Sequence, residues 1–212
     1  MGKKTVLLAF FIFQNFFLFS QETWDLTRVE EGIKVYTKKE ENKKFKSFKA
    51  NTVINGSIHN FISVLNNIEI FPKWGYNIKS AELLERSGDT LQVYYSIAKA
   101  PFPYKNRDGI YLNRFRWFSE IKTLMVDIEV LDDYLPIDEK YVRVKGYGYW
   151  EIKELSNNNI NVTFSMQIDP GGSIPSWLAN MFVDDTPFKT LLSLKKLLEC
   201  EDFEKHNYKF ID

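Results

Sequence analysis

Arg107 and Asp108 stand side by side in "PFPYKNRDGIYLNRFRW" (residues 101–117), among prolines and aromatics. A guanidinium in such a setting is either the solvated start of a strand or a buried charge. A buried one needs a carboxylate or a ligand oxygen, because an uncompensated interior charge is very costly. A second stretch, "IDPGGSIPSWLANMF" (residues 168–182), sets Gly171 and Gly172 before an apolar run. Paired glycines cradle phosphates when a Lys-Ser/Thr pair follows. None does, so a strand-to-helix turn is the favoured reading. Asp108 and Tyr95 are the available acid–base groups. No Ser-His-Asp, Cys-His or paired-carboxylate pattern accompanies them, so no catalytic residue is assigned. His59 and His206 lack ligand spacing, and neither a metal nor a cofactor is expected. Cys200 is the only cysteine, which excludes an intrachain disulfide. Its place near the end of an apolar helix predicts a buried, inert thiol.

The elements that must position these residues read mainly as strands. Period-two alternation places Leu91, Val93, Tyr95 and Ile97 on one face, and likewise Leu124, Val126, Ile128 and Val130. Ile160, Val162, Phe164, Met166 and Ile168 form a third such face. Val142, Val144, Trp150 and Ile152 form a fourth, opposite Arg143, Lys145 and Glu151. Strands with one buried and one wet face belong to an antiparallel sheet. On the Arg107 strand, parity groups Arg107 with Tyr111, Asn113, Phe115 and Trp117, an aromatic wall with a few polar groups. Ile110, Leu112, Arg114 and Arg116 take the other face.

Ser57 is a good N-cap for a short helix with Ile58, Phe61, Ile62 and Leu65 at helical spacing. Pro175 suits the start of a second helical region, which carries Trp177, Met181 and Phe182 and reaches Leu198. Thr186 caps a renewed turn beside Pro187. A long apolar helix after an antiparallel sheet must lie across the sheet's buried face. The fold class is therefore α+β, with a curved antiparallel sheet around a long C-terminal helix. Such a pair meets along only part of its surface, which leaves room for an apolar ligand.

Residues 1–20 read as a signal peptide. A basic "MGKK" precedes an apolar run at residues 5–19, interrupted by Gln14 and Asn15 and too short for a full span. Cleavage after Ser20 makes the remainder secreted or periplasmic; the alternative is an uncleaved N-terminal anchor. Residues 21–212 form one domain. The chain balances 28 basic against 28 acidic residues, with no basic stripe, which argues against nucleic acid.

"VYYSIAKAPFPYKNRDGIYLNR" (93–114), followed by "YVRV" and then "PGGSIPSWL", resembles the START lipid-transfer domain family, most like its phosphatidylcholine-transfer members. The resemblance implies a helix-grip fold with an internal tunnel enclosing one lipid or sterol, transient membrane contact and no catalysis. It places Arg107 as a buried charge near the tunnel's polar end, with Asp89 or Asp108 as a possible partner. It makes Tyr111, Phe115, Trp117, Met166, Trp177 and Met181 candidate lipid contacts. A loop corresponding to 131–140 borders the family's tunnel entrance. Where phosphatidylcholine-transfer members present tyrosines, this chain has Ser165 and Met166, which argues against an aromatic cage for choline. A monomer is expected. The rival reading is an enzyme on the same scaffold, such as a cyclase or hydrolase of polyketide-like substrates. An acid–base pair facing a common point would favour that reading, whereas an isolated arginine favours binding.

Overall fold

The alternating segments pair into one large sheet. The computed structural model describes residues 23–200 and 207–211, so the expected signal peptide and His206 lie outside the described residues. Ten strands follow in chain order: β1 (Asp25–Glu30), β2 (Ile33–Lys38), β3 (Ser47–Asn55), β4 (Ile78–Ser87), β5 (Leu91–Ala98), β6 (Arg107–Phe118), β7 (Thr123–Val130), β8 (Val142–Arg143), β9 (Lys145–Glu154) and β10 (Asn159–Asp169). Their order across the sheet is β1-β2-β3-β10-β9-β7-β6-β5-β4, with β8 paired to β6. Every pairing is antiparallel except β6 with β8. The sheet is open, with β1 and β4 at its edges.

Among the described residues four α-helices complete the fold: α1 (Ile58–Asn66), α2 (Phe71–Trp74), α3 (Ser176–Met181) and α4 (Asp185–Cys200). Ser57 caps α1 by accepting the Asn60 N–H, and Ile58, Phe61, Ile62 and Leu65 are all buried as their spacing predicts. Pro187 falls in the first turn of α4, where a missing N–H costs nothing. α4 lies against β2 and β3 and buries Leu191, Leu194 and Leu198. It covers only that side of the concave face. Above β5 and β6 the cover comes from α2 and loops.

Register divides the concave face into cross-strand rows. One row runs Gln92, Asn113, Ile128, Gly148, Met166, Phe48. The next runs Phe115, Val126, Trp150, Phe164, Ala50 and begins the packed core: Trp150 stacks on Phe164 with centroids 3.9 Å apart, and Phe61 and Trp74 pack edge-on to Trp150. Gly146 and Gly148 occupy successive concave-face positions of β9. A Cβ there would sit 2.2 Å and 2.3 Å from the backbone oxygens of Gln167 and Ser165. Their bare backbones let β10 lean over β9, which curves the sheet.

Four sequence expectations are corrected here. On β5 the concave residues are Gln92, Tyr94, Ser96 and Ala98, not the apolar set. Val93 joins Ile110 and Leu112 in a small second core on the outer face, with Leu91 and Tyr95 packed against it. Arg143, read as wet, is buried. Cys200 is exposed, because two residues beyond the buried Leu198 the helix has turned about 200° away from the core. The helix expected from Pro175 to Leu198 is broken at 182–184 into α3 and α4.

Candidate functional site

Between the upper rows of β5, β6 and β10 and the helical cover lies a cavity of about 330 Å³, within the range of small-molecule sites. Its walls are mainly apolar, among them Phe71, Tyr94, Trp150, Phe164 and Ile168. Arg107, Lys46 and Lys99 line it, and no Asp, Glu, His or Cys does among the described residues.

Arg107 opens β6 at the rim and is 6 % exposed. Its Nε donates to the Pro170 carbonyl at 3.2 Å, its Nη2 to Gly171 at 3.3 Å, and its Nη1 to Lys105. Gly171 and Gly172 adopt φ of +62° and +64°, and Asp169 Oδ1 accepts the Gly171 N–H, so the turn aims those carbonyls at the guanidinium. That is the function of "DPGG": its carbonyls hold a cation. The guanidinium has five N–H groups. Three are used, and no carboxylate of the described residues pairs with it. Burial lowers its pKa from the ordinary value, with Tyr104 opposing the shift.

Neither expected partner reaches Arg107. Asp89 sits in the exposed β4–β5 turn. Ala98 pairs with Arg107 while Leu91 pairs with Arg114, which places Asp89 at the opposite end of the strand. Asp108 is adjacent in sequence, but strand alternation sends it to the outer face. There its Oδ2 accepts from Arg143 Nη2 at 2.9 Å and Nε at 3.1 Å, and from the Tyr95 hydroxyl at 3.3 Å. Arg143 spends its remaining donors on the carbonyls of Asp132, Leu135 and Pro136. It thereby fixes the loop over residues 131–141 to the outer face. No residue of that loop lines the cavity among the described residues. The rim is formed by segments around 98–101 and 168–183. Sequence reasoning missed Arg143, and the available signal was Asp108 itself, a charge sharing a strand face with Ile110 and Leu112.

Of the candidate lipid contacts, Tyr111 and Met166 line the cavity. The Tyr111 ring folds over Gly109, where a Cβ would stand 2.6 Å from it, and stacks on Tyr94 at 5.1 Å. Burial pushes the Tyr111 hydroxyl up to about 12, and burial likewise raises that of Tyr94. Both stay neutral at ordinary pH. Phe115 and Trp117 do not line the cavity. They share the Arg107 face but lie about 27 Å or more along the strand, at 3.4 Å per residue, in or against the solid core. Trp177 and Met181 do not line it either. They are 68 % and 56 % exposed. Ala179 and Asn180 turn inward from α3, which leaves the Trp177–Met181 pair, one helical turn apart, on the outer side. Phe182, at the end of α3, both lines the cavity and is exposed, and Phe102 in the rim loop is fully exposed.

Comparison with known proteins places this geometry among relatives. The START domain family profile matches residues 15–199. An uncharacterized protein of Pseudomonas aeruginosa is 29% identical over 179 residues, covering 84% of this chain and 88% of that protein. Rat phosphatidylcholine transfer protein is 28% identical over 188 residues, 86% of each chain. The crystal structure of a STAR-related lipid transfer protein from Xanthomonas axonopodis superposes with a TM-score of 0.78 at 34% identity, covering 83% of this chain and 98% of that one.

Proposed function

The chain belongs to the START domain family, and from that premise we propose that it carries a single lipid in its cavity without transforming it. The observation that carries this reading is Arg107: a buried guanidinium with unspent donors and no counter-charge, facing a mainly apolar chamber. A phosphate, carboxylate or hydroxyl oxygen of a lipid headgroup supplies what the protein withholds. Catalysis on this scaffold would need an acid–base pair facing a common point. The candidate pair, Tyr95 and Asp108, faces the outer side of the sheet, and burial holds the cavity phenols of Tyr94 and Tyr111 neutral.

Loading and release take place at a membrane surface in this reading. Trp177, Met181, Phe182 and Phe102 surround the rim with exposed apolar side chains, and Lys46 and Lys99 stand beside them. Aromatic and apolar residues of this kind partition reversibly into the interface, and the lysines favour anionic lipid. The carrier works outside the cytoplasm after removal of residues 1–20. N-terminal sequencing of native protein checks this, and recovery of intact "MGKK" from soluble cytoplasm rules it out.

Native mass spectrometry of the purified protein, with lipid analysis of whatever copurifies, identifies the ligand. Arg107→Met then weakens that ligand's binding by roughly tenfold to a hundredfold. An unchanged titration curve would remove Arg107 from the site. Trp177→Ser with Met181→Ser slows lipid transfer between vesicles several-fold while leaving affinity in place. Equal transfer rates would remove α3 from the docking surface.

A further inference from the structure

The far end of the cavity holds a polar group that the carrier reading leaves idle. Asn113 lies on the same strand face as Arg107, six residues along β6, or about 20 Å at 3.4 Å per residue. It lines the cavity and is 3 % exposed. Its carboxamide makes no hydrogen bond to any described residue, and its Oδ1 is fully enclosed without a partner. The cross-strand neighbour that would pair with it is already engaged. Gln92 donates to the Leu65 carbonyl at 3.1 Å and accepts from Arg86 at 3.3 Å. Trp74, which also lines the cavity, carries a second buried orphan, its indole N–H. Only four buried side-chain polar atoms lack a partner among the described residues, and two of them belong to walls of this one chamber.

Buried amides left unpaired are unfavourable, and apolar side chains would pack this floor at no such cost. A carboxamide and an indole N–H left unspent in the walls of one chamber, whichever way the amide is turned, match a group that both donates and accepts: a hydroxyl. The separation from Arg107 fits a lipid body. One leaflet's share of a bilayer's hydrocarbon core is about 15 Å, so a chain anchored by an anion at Arg107 ends near the Asn113 row. Resting on the lipid-carrier reading, we infer that the preferred ligand bears a hydroxyl near the end of its apolar body remote from the anionic head, and that Asn113, with Trp74, selects for it. Asn113 is thus a specificity determinant at the opposite pole of the cavity from Arg107.

The test is a binding titration of the full-length protein, stripped of endogenous lipid, with ω-hydroxypalmitic acid against palmitic acid. The hydroxylated acid binds about tenfold more tightly, the difference expected for one buried hydrogen bond to an otherwise orphaned group. Asn113→Leu reverses the order, weakening the hydroxy acid and strengthening palmitate. Trp74→Phe narrows the gap and serves if the leucine variant fails to fold. Equal affinities in the unmodified protein overturn the selection at Asn113 and leave the carrier reading standing. Failure of both acids to bind overturns both.

Discussion

Arg107 and Arg143 begin one position apart on paired strands, since β8 sets Val142 beside Arg107 and Arg143 beside Asp108. Both are buried, yet their environments are opposite. Arg143 has all five N–H groups matched by protein, two of them by a carboxylate. Arg107 has three matched by carbonyls, and no carboxylate. A closed hydrogen-bond shell is structural: it ties a loop to the outer face. An open shell beside a cavity is a site. The two arginines share burial and residue type, so the discriminating quantity is the count of unspent donors.

The comparison breaks most visibly at Arg143. Arg143→Met strands Asp108 in the interior, and loss of one partner of a buried pair costs about 3–5 kcal/mol. For a domain of this size the melting temperature then falls by roughly 10 °C, while Asp108→Leu with Arg143→Met recovers much of the loss. A single variant that melts like the parent would refute the structural role. Arg107→Met is the counterpart. Its melt stays within about 2 °C of the parent, because removing a buried ion that strands no opposite charge, only carbonyls near the rim, is close to neutral. A large drop would show that the 170–171 turn depends on the cation.

An effect confined to alkaline pH sits on the same strand face as Arg107, at Tyr111. Its folded pKa of about 12 lies above the ordinary value of 10.0, so the folded state holds the proton more tightly. The corresponding stability is present in full below about pH 10 and is lost as pH rises from there towards 12, at up to about 1.4 kcal/mol per pH unit. Tyr111→Phe flattens that part of the alkaline denaturation profile. An identical slope in both proteins would mean that other groups govern it.

Much of this was legible in the sequence where one face of an element decides its fate. The β7 alternation and the α1 stripe were readable because each buries a single apolar face, and strand parity put Arg107, Tyr111 and Asn113 together; on β10 the face expected to be wet is buried as well, at Thr163, Ser165 and Gln167. The reading failed where both faces are covered. On β5 the apolar residues pack outward beneath the 131–141 loop, while Gln92, Tyr94 and Ser96 face the interior. A pattern rule assigns the more apolar face to the core and so inverts such a strand. Parity also carries no depth: it grouped Phe115 and Trp117 with Arg107, although cavity and solid core divide that face between them. The direction of Trp177 depended on how α3 sits, which helical spacing alone leaves open.

The bare backbone of Gly146 and Gly148 has a consequence for how this protein tolerates sequence drift. A methyl at either position meets the main-chain oxygens of β10 first, and no change of rotamer moves those. Wall residues such as Met166 and Ile168 can be exchanged for others of similar volume at modest cost, altering which ligand fits. The two glycines cannot, because they set the curvature on which every wall depends. Variation in ligand choice among such chains is therefore expected to accumulate on the walls while the curve of the sheet is inherited unchanged.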